Sequence, residues 1–379
     1  MALRWQALLP VLGVLALLTL LTLLSGCAGP QVAPRSPEQV QADIRGLLPA
    51  SVPLRDAWAV DLQTVFAALQ LDPSPAQVCA VIAITEQEST FVPDPVVPGL
   101  AGIARREIER RADGLGVPSL ALTLALKLRS ADGRSYDERL DAVRTEGELS
   151  ALYEQFIDQV PLGERLFARL NPVRTGGAMQ VSIAFAERQA RLAPYPFPAP
   201  GSIRREVFTR RGGLYFGTAH LLAYPAPAYG SEMIYRFADF NAGRWASRNA
   251  AFQQALALAS GRRLDLDGDL VVGSGGADAT PGQTEAAARS LADALGMDVA
   301  TIRRELERGD GPTFDSSPLL ARVYALAERK SGKPQARARL PVIDLKSPKF
   351  TRKLTTEWFA RRVDERWRRC LQRGAAGAG

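Results

Sequence analysis

An apolar run from Ala7 to Leu24, preceded by the single charge Arg4 and followed by Ser25, Gly26 and Cys27, decides which part of this 379-residue chain has to fold. A basic start, a hydrophobic stretch and small residues at its end describe a secretory signal, so residues 1–26 are set aside from the fold. The run is also about long enough to span a bilayer, which makes an uncleaved anchor the competing reading. Some 350 residues remain, enough for one large domain or two smaller ones. With 46% hydrophobic and 23% charged residues, this is the composition of a globular protein and not of a disordered one.

The order Leu24-Ser25-Gly26-Cys27 resembles the bacterial lipobox. That resemblance implies that Cys27 is diacylated and becomes the first residue of the mature protein. Ala28 follows it where an inner-membrane retention Asp would stand, so the expected location is the outer membrane, facing the periplasm. Several acyl chains on one residue anchor stably, each buried methylene contributing roughly 0.8 kcal/mol. Residues 27–37 then read as a Pro-rich tether. The net charge of +7 favours loose association with anionic surfaces without selecting a partner. Export argues against nucleic acid.

With Cys27 assigned to lipid, Cys79 and Cys370 remain in an oxidising compartment. They either pair or, since Cys79 sits within an apolar helix, stay as buried thiols; the sequence leaves both open. His220 is the sole histidine, so a His-rich metal site is excluded and a Ser-His-Asp triad would have to use that residue. No cofactor or metal is expected.

The period of the chain is mostly helical. Ser74-Pro75-Ala76-Gln77 reads as a cap, a first-turn proline and a capping-box Gln. Val78, Val81, Ile82 and Thr85 then recur at helical spacing. Thr145 with Glu148 opens a second helix bearing Leu149, Leu152, Phe156 and Val160, and further helices are expected at 215–224 and 232–258. Short strands are expected at 208–209, 264–272 and 340–343. The Gly-rich stretch 273–282 marks a boundary, with Thr280-Pro281 capping the next helix. Residues 355–371 read as a helix with Phe359, Val363 and Trp367 on one stripe among arginines, expected to dock by that stripe, with binding to a membrane surface or to anionic cell-wall groups as the alternative.

Glu88 continues the apolar face of Val81 and Ile84 at the end of the first helix. Desolvation and the negative end of the helix dipole both raise a carboxyl's pKa there. A protonated glutamic acid near neutral pH is what a glycosidic general acid requires. The bland alternative is a helix-end carboxylate in a salt bridge. Glu86, on another face, is placed to satisfy a buried arginine.

Three segments in order change that balance: Glu88-Ser89, then Gly177-Ala178-Met179-Gln180, then Phe240-Asn241-Ala242-Gly243. Together they resemble the soluble lytic transglycosylase and goose-type lysozyme superfamily. The resemblance implies a mainly α fold with a lysozyme-like α+β core over 38–272, a helical insertion at about 92–170 and a C-terminal helical extension over 273–379. It also implies Glu88 as catalytic acid/base, with Ser89, Met179, Gln180, Phe240 and Asn241 binding substrate. The stretch Phe216 to Leu222 resembles that superfamily's Gly-Thr-x-Tyr-Leu helix, which puts His220 at a structural tyrosine's position. The implied substrate is the β-1,4 bond between N-acetylmuramic acid and N-acetylglucosamine in peptidoglycan glycan strands. Glu88 would protonate the glycosidic oxygen and then take the proton of the muramyl 6-hydroxyl, leaving a 1,6-anhydro end. The substrate's acetamido group can replace a second carboxylate; a hydrolytic variant would need one, and Asp94 is nearest. The long gap before Met179, Ala178 in place of Leu or Pro, and Phe240 in place of Tyr depart from the superfamily's pattern. A catalytically weak module that binds glycan or scaffolds envelope proteins is the other reading.

The whole chain, including Arg174-Thr175-Gly176-Gly177 and residues 132–136, also resembles a family of proteobacterial lipoproteins of unassigned function. Two further signals fall away. Asp265-Leu266-Asp267-Gly268-Asp269 lacks the Gly and Glu positions of a calcium loop. Gly273-Ser274-Gly275-Gly276 lacks the Lys of a phosphate loop.

Overall fold

Apolar residues at helical spacing dominate this chain, and its computed structural model is accordingly mainly α-helical. It describes residues 35–159, 171–273, 280–345 and 354–377; the signal segment and Cys27 lie outside them. The chain divides into two compact units, residues 1–40 and 41–379. Of the first only 35–40 are described, the opening turn of helix α1 (Pro37–Leu47).

The centre of the second unit is helix α2 (Pro75–Glu88), in which every residue from Val78 to Thr85 is buried. Pro75 starts it as expected, but Ser74 makes no side-chain cap, so the capping box read there does not form. Helix α3 (Arg210–Leu222) and the C-terminal helix α4 (Thr356–Gly377) both pack against it. The α4 stripe docks as expected: Phe359 and Val363 are buried, and Trp367 donates its indole N–H to the Ala76 carbonyl at 2.9 Å. Cys79 and Cys370 form a disulfide between α2 and α4, with Cα atoms 5.5 Å apart. Closing so long a loop is a source of stability because it removes chain entropy from the unfolded state.

The helix expected over 232–258 is two helices, α5 (Met233–Ala242) and α6 (Ala246–Ser260). The break has a cause in buried Asp239. Its carboxylate accepts the backbone N–H of Trp245 (2.9 Å) and Ser247 (2.7 Å) and the hydroxyls of Tyr224 (3.0 Å) and Tyr229 (2.5 Å). Amides held this way cannot continue the ladder of α5. The turn that results puts Gly243 at φ 114° and Trp245 at φ 63°.

Strand content also differs from expectation. Residues 208–209 join two helices, Phe208 ending Ile203–Val207 and Thr209 capping α3 with its hydroxyl. Residues 264–272 and 340–343 are not strands: a bend at Asp267–Gly268 interrupts the first, and the Val342 N–H donates to the Leu266 carbonyl (2.8 Å) between them. In 264–272 the polar groups are met locally: Gln253 donates to the Asp267 carboxylate and the Asp269 carbonyl, and Gln283 donates to Asp265. Among the described residues the strands are two antiparallel pairs. Thr175–Gly176 pairs with Val181–Ser182, and Asp344–Leu345 with Leu354–Thr355.

Helices Leu100–Gly114, Ser119–Leu126, Tyr136–Ala142 and Glu146–Gln159 lie between α2 and the first hairpin. The last opens with the expected reciprocal cap, Glu148 accepting the N–H of Arg144 and Thr145 while Thr145 Oγ1 accepts that of Glu148. Val160 falls outside the described residues. A second apolar cluster joins α6 to the helices beyond residue 282, where Phe252, Ile302, Phe314 and Leu319 are buried together. Gly282, not Thr280, is the N-cap of the helix Gln283–Arg289.

Candidate active site

The two acids near the end of α2 have different surroundings. Glu86 faces α4 and pairs with Arg366 (3.6 Å) and Arg369 (3.9 Å), the arginine-satisfying role open to it from sequence. Glu88 is half-buried, and among the described residues neither a hydrogen bond nor an ion pair engages its carboxyl. Burial lifts that carboxyl from its ordinary 4.5 to about 7. With no cation or donor to hold the charged form, desolvation acts unopposed. The salt-bridge alternative for Glu88 is therefore not what this fold adopts.

The chain leaves α2 through an unusual turn. Thr90 and Phe91 both have left-handed backbones, φ 51° and 63°. A β-branched and an aromatic residue in succession there cost of order 1–3 kcal/mol each, so the turn is held by its contacts. Phe91 is buried edge-on against Trp58 with ring centroids 5.2 Å apart. The Trp58 ring is in turn capped by Arg210, 5.9 Å above it, which pairs with buried Asp61 at 2.5 Å.

Ser89 ties this turn to the second segment. Its hydroxyl donates to the Ala178 carbonyl at 2.8 Å, across 89 residues of sequence. Ala178 belongs to the loop of the first hairpin, where Gln180 is again left-handed at φ 49° and its N–H returns to the Gly177 carbonyl at 3.0 Å. The loop sits directly on α3. A Cβ on Gly213 would meet the Ala178 N–H at 2.8 Å, and one on Gly217 would run into the Met179 side chain. Only glycine lets the two backbones come this close. Met179 is fully buried beneath the loop, a packing residue that sugar cannot reach in this conformation. Gln180 stays partly exposed, its amide oxygen 3.3 Å from Thr175 Oγ1.

The third segment reaches the site indirectly. The Phe240 carbonyl accepts from His220 Nε2 at 3.3 Å, and Arg244 donates to the carbonyls of Ala219 (2.5 Å) and His220 (3.2 Å). His220 thus bonds the end of α3 to the end of α5, the structural part expected of it. Burial and the nearby Arg244 cation hold its imidazole down at about 4, so it is neutral at pH 7. Phe185, His220 and Phe240 form an edge-to-face stack, with centroids 4.8 and 5.1 Å apart. Asn241 is exposed, and its side-chain oxygen accepts from Thr356 at the start of α4 (3.3 Å). The fold joins Ser89 to the Met179–Gln180 loop by a hydrogen bond; the bonds of Phe240 and Asn241 among the described residues run to His220 of α3 and Thr356 of α4.

Asp94 is already occupied. Its carboxylate accepts from Thr145 Oγ1 (2.6 Å) and the Gly147 N–H (3.1 Å), which fastens it to the start of the helix Glu146–Gln159. It is a capping group and not a partner to Glu88. No cluster of three or more His, Cys, Asp or Glu suited to a metal occurs among the described residues. The parts that sequence reading missed are the glycines of α3 and the Asp239 turn. Gly212-Gly213 with Gly217 on one buried helix was the available signal for the first.

A family model described as protein of unknown function (DUF1615) matches residues 51–373. This chain belongs to that family. It is 54% identical over 333 residues to the uncharacterized protein YaiW of Escherichia coli K12, covering 88% of this chain and 90% of YaiW. No solved structure matches it. Membership spans both the α2–α3–hairpin assembly and the C-terminal helix that braces it.

Proposed function

We propose that this protein is a lipid-anchored envelope enzyme of lysozyme-like type that cleaves peptidoglycan glycan strands, with Glu88 as its single acid/base. The observation that carries the reading is the half-buried Glu88 carboxyl, without a partner among the described residues, at the end of a buried helix fastened through Ser89 to the Gln180 loop. Glu88 holds its proton near neutral pH and gives it to the oxygen of the N-acetylmuramic acid–N-acetylglucosamine bond as that bond breaks. The muramyl acetamido oxygen stabilises the cationic carbon, which suits a site where Asp94 is committed elsewhere. The Glu88 carboxylate then takes the 6-hydroxyl proton as that oxygen closes onto C1, regenerating the acid and leaving a 1,6-anhydro end. Partly exposed Gln180 and exposed Asn241 are the polar groups assigned to the sugars. Cys27 carries the lipid and the outer membrane is the location; the Cys79–Cys370 bridge fits a chain folded in an oxidising compartment.

Incubation of purified sacculi with wild-type and Glu88→Gln protein tests this. Soluble muropeptides are expected from the wild type alone, while both proteins sediment with sacculi. Binding by both with release by neither would replace the enzyme with a glycan-binding module.

A further inference from the structure

Helix Ser119–Leu126, sequence SLALTLAL, has no buried residue although seven of its positions are Leu, Ala or Thr. A helix apolar on every side is ordinarily enclosed by protein. Here one side is covered: Leu122 and Leu126 line, with Leu140, Leu149, Leu152 and Phe156, an apolar cavity of about 60 Å³. The other side is open. Leu120, Leu124 and Leu128 follow one another at four-residue spacing and are 69%, 58% and 49% exposed. Ile103 and Leu115, on and after the preceding helix Leu100–Gly114, are exposed as well.

We infer that this leucine stripe inserts into the acyl boundary of a phospholipid leaflet. Two observations select lipid over a protein partner. Exposed Lys127 and Arg106 make no ion pair among the described residues, while exposed Arg129 donates to the Gly133 carbonyl and interacts electrostatically with Glu138. Leucines flanked by uncommitted cations match an anionic headgroup layer over hydrocarbon. The second is the length of the chain outside the structure. From Cys27 to Ser36 the extended chain reaches at most about 30 Å, so a lipid on Cys27 keeps the body beside the bilayer at all times. The inference rests on that lipid anchor and is independent of the chemistry at Glu88. A one-residue anchor swivels freely; a second contact made by the stripe fixes which face of the protein looks away from the membrane.

Tryptophan substitution at an already exposed site reads the contact directly. Lipidated full-length protein carrying Leu124→Trp, Leu128→Trp or Leu192→Trp is reconstituted into phosphatidylethanolamine–phosphatidylglycerol vesicles, with and without bromine on the acyl chains. Leu192 is 83% exposed on a different helix and serves as control. Emission from L124W and L128W is expected to shift to the blue and to be quenched by brominated lipid beyond wild type, with L192W unchanged. Quenching of L124W and L128W no greater than that of L192W overturns the inference. A blue shift at Leu124 without quenching also overturns it, since protein would then cover the stripe. Wild-type circular dichroism in all three variants excludes misfolding as the cause of either result.

Discussion

Replacing Glu88 with Gln should stabilise the protein at alkaline pH while abolishing its proposed activity. Below about pH 4.5 the carboxyl is protonated in both the folded and the unfolded chain, and the site has no pH-dependent cost. Between 4.5 and about 7 the unfolded chain ionises while the folded one keeps its proton, so the folded state loses ground as pH rises. Above about 7 the loss is complete. At 1.36 kcal/mol per tenfold change in proton affinity it amounts to about 3 kcal/mol, a ceiling because the half-buried carboxyl keeps some water. Gln has the same shape and no proton to lose, so the variant escapes this term. Urea unfolding of both proteins at pH 4.5 and pH 8 measures it. The difference between them should be small at the lower pH and should favour Glu88→Gln by about 2–3 kcal/mol at the higher. Every other titrating group cancels in that comparison. A difference that is the same at both pH values would mean that Glu88 is not desolvated, and the argument for an acid poised at neutral pH would fail.

Other expectations follow from individual contacts. Ser89→Ala leaves the Ala178 carbonyl without its donor, which should lower stability by about 1–3 kcal/mol and cut sacculus cleavage more than sacculus binding. Gly217→Ala forces a methyl into Met179, so a loss of about 1–3 kcal/mol by thermal unfolding is expected together with a displaced Gln180 loop. Replacing Cys79 and Cys370 with Ala should cost about 2–5 kcal/mol, seen as a lower midpoint that reducing agent no longer changes. Asp94→Asn should weaken the start of the helix Glu146–Gln159 yet leave the released products unaltered, since Asp94 serves as a cap and not as a second acid.

Local features were more legible in the sequence than long-range ones, although the Ser74 and Thr280 caps read there do not form. The run to Glu88, the Thr145–Glu148 cap and the stripe of α4 were legible because each depends on residues within a few turns of one another. The pairing of Cys79 with Cys370 was not, because nothing in the chain says that α2 and α4 are neighbours. The break at 243–245 was hidden for a similar reason: Asp239 makes it by capturing amides six and eight residues ahead with help from Tyr224 and Tyr229. The alternation in 264–272 imitates a strand, yet the Asp265 and Gly268 N–H groups donate to the side-chain oxygens of Gln283 and Gln253. In the site itself the sequence marked Glu88-Ser89 and the Gln180 loop, which the Ser89–Ala178 hydrogen bond joins. It also marked Met179 as a substrate group, whereas Met179 is enclosed.

Mass analysis of the muropeptides released from sacculi bears most directly on the role given to Glu88. Wild-type protein should release fragments whose muramyl ends are one water lighter than reducing ends, and Glu88→Gln should release none. Fragments with ordinary reducing ends, or equal release by both proteins, would contradict it.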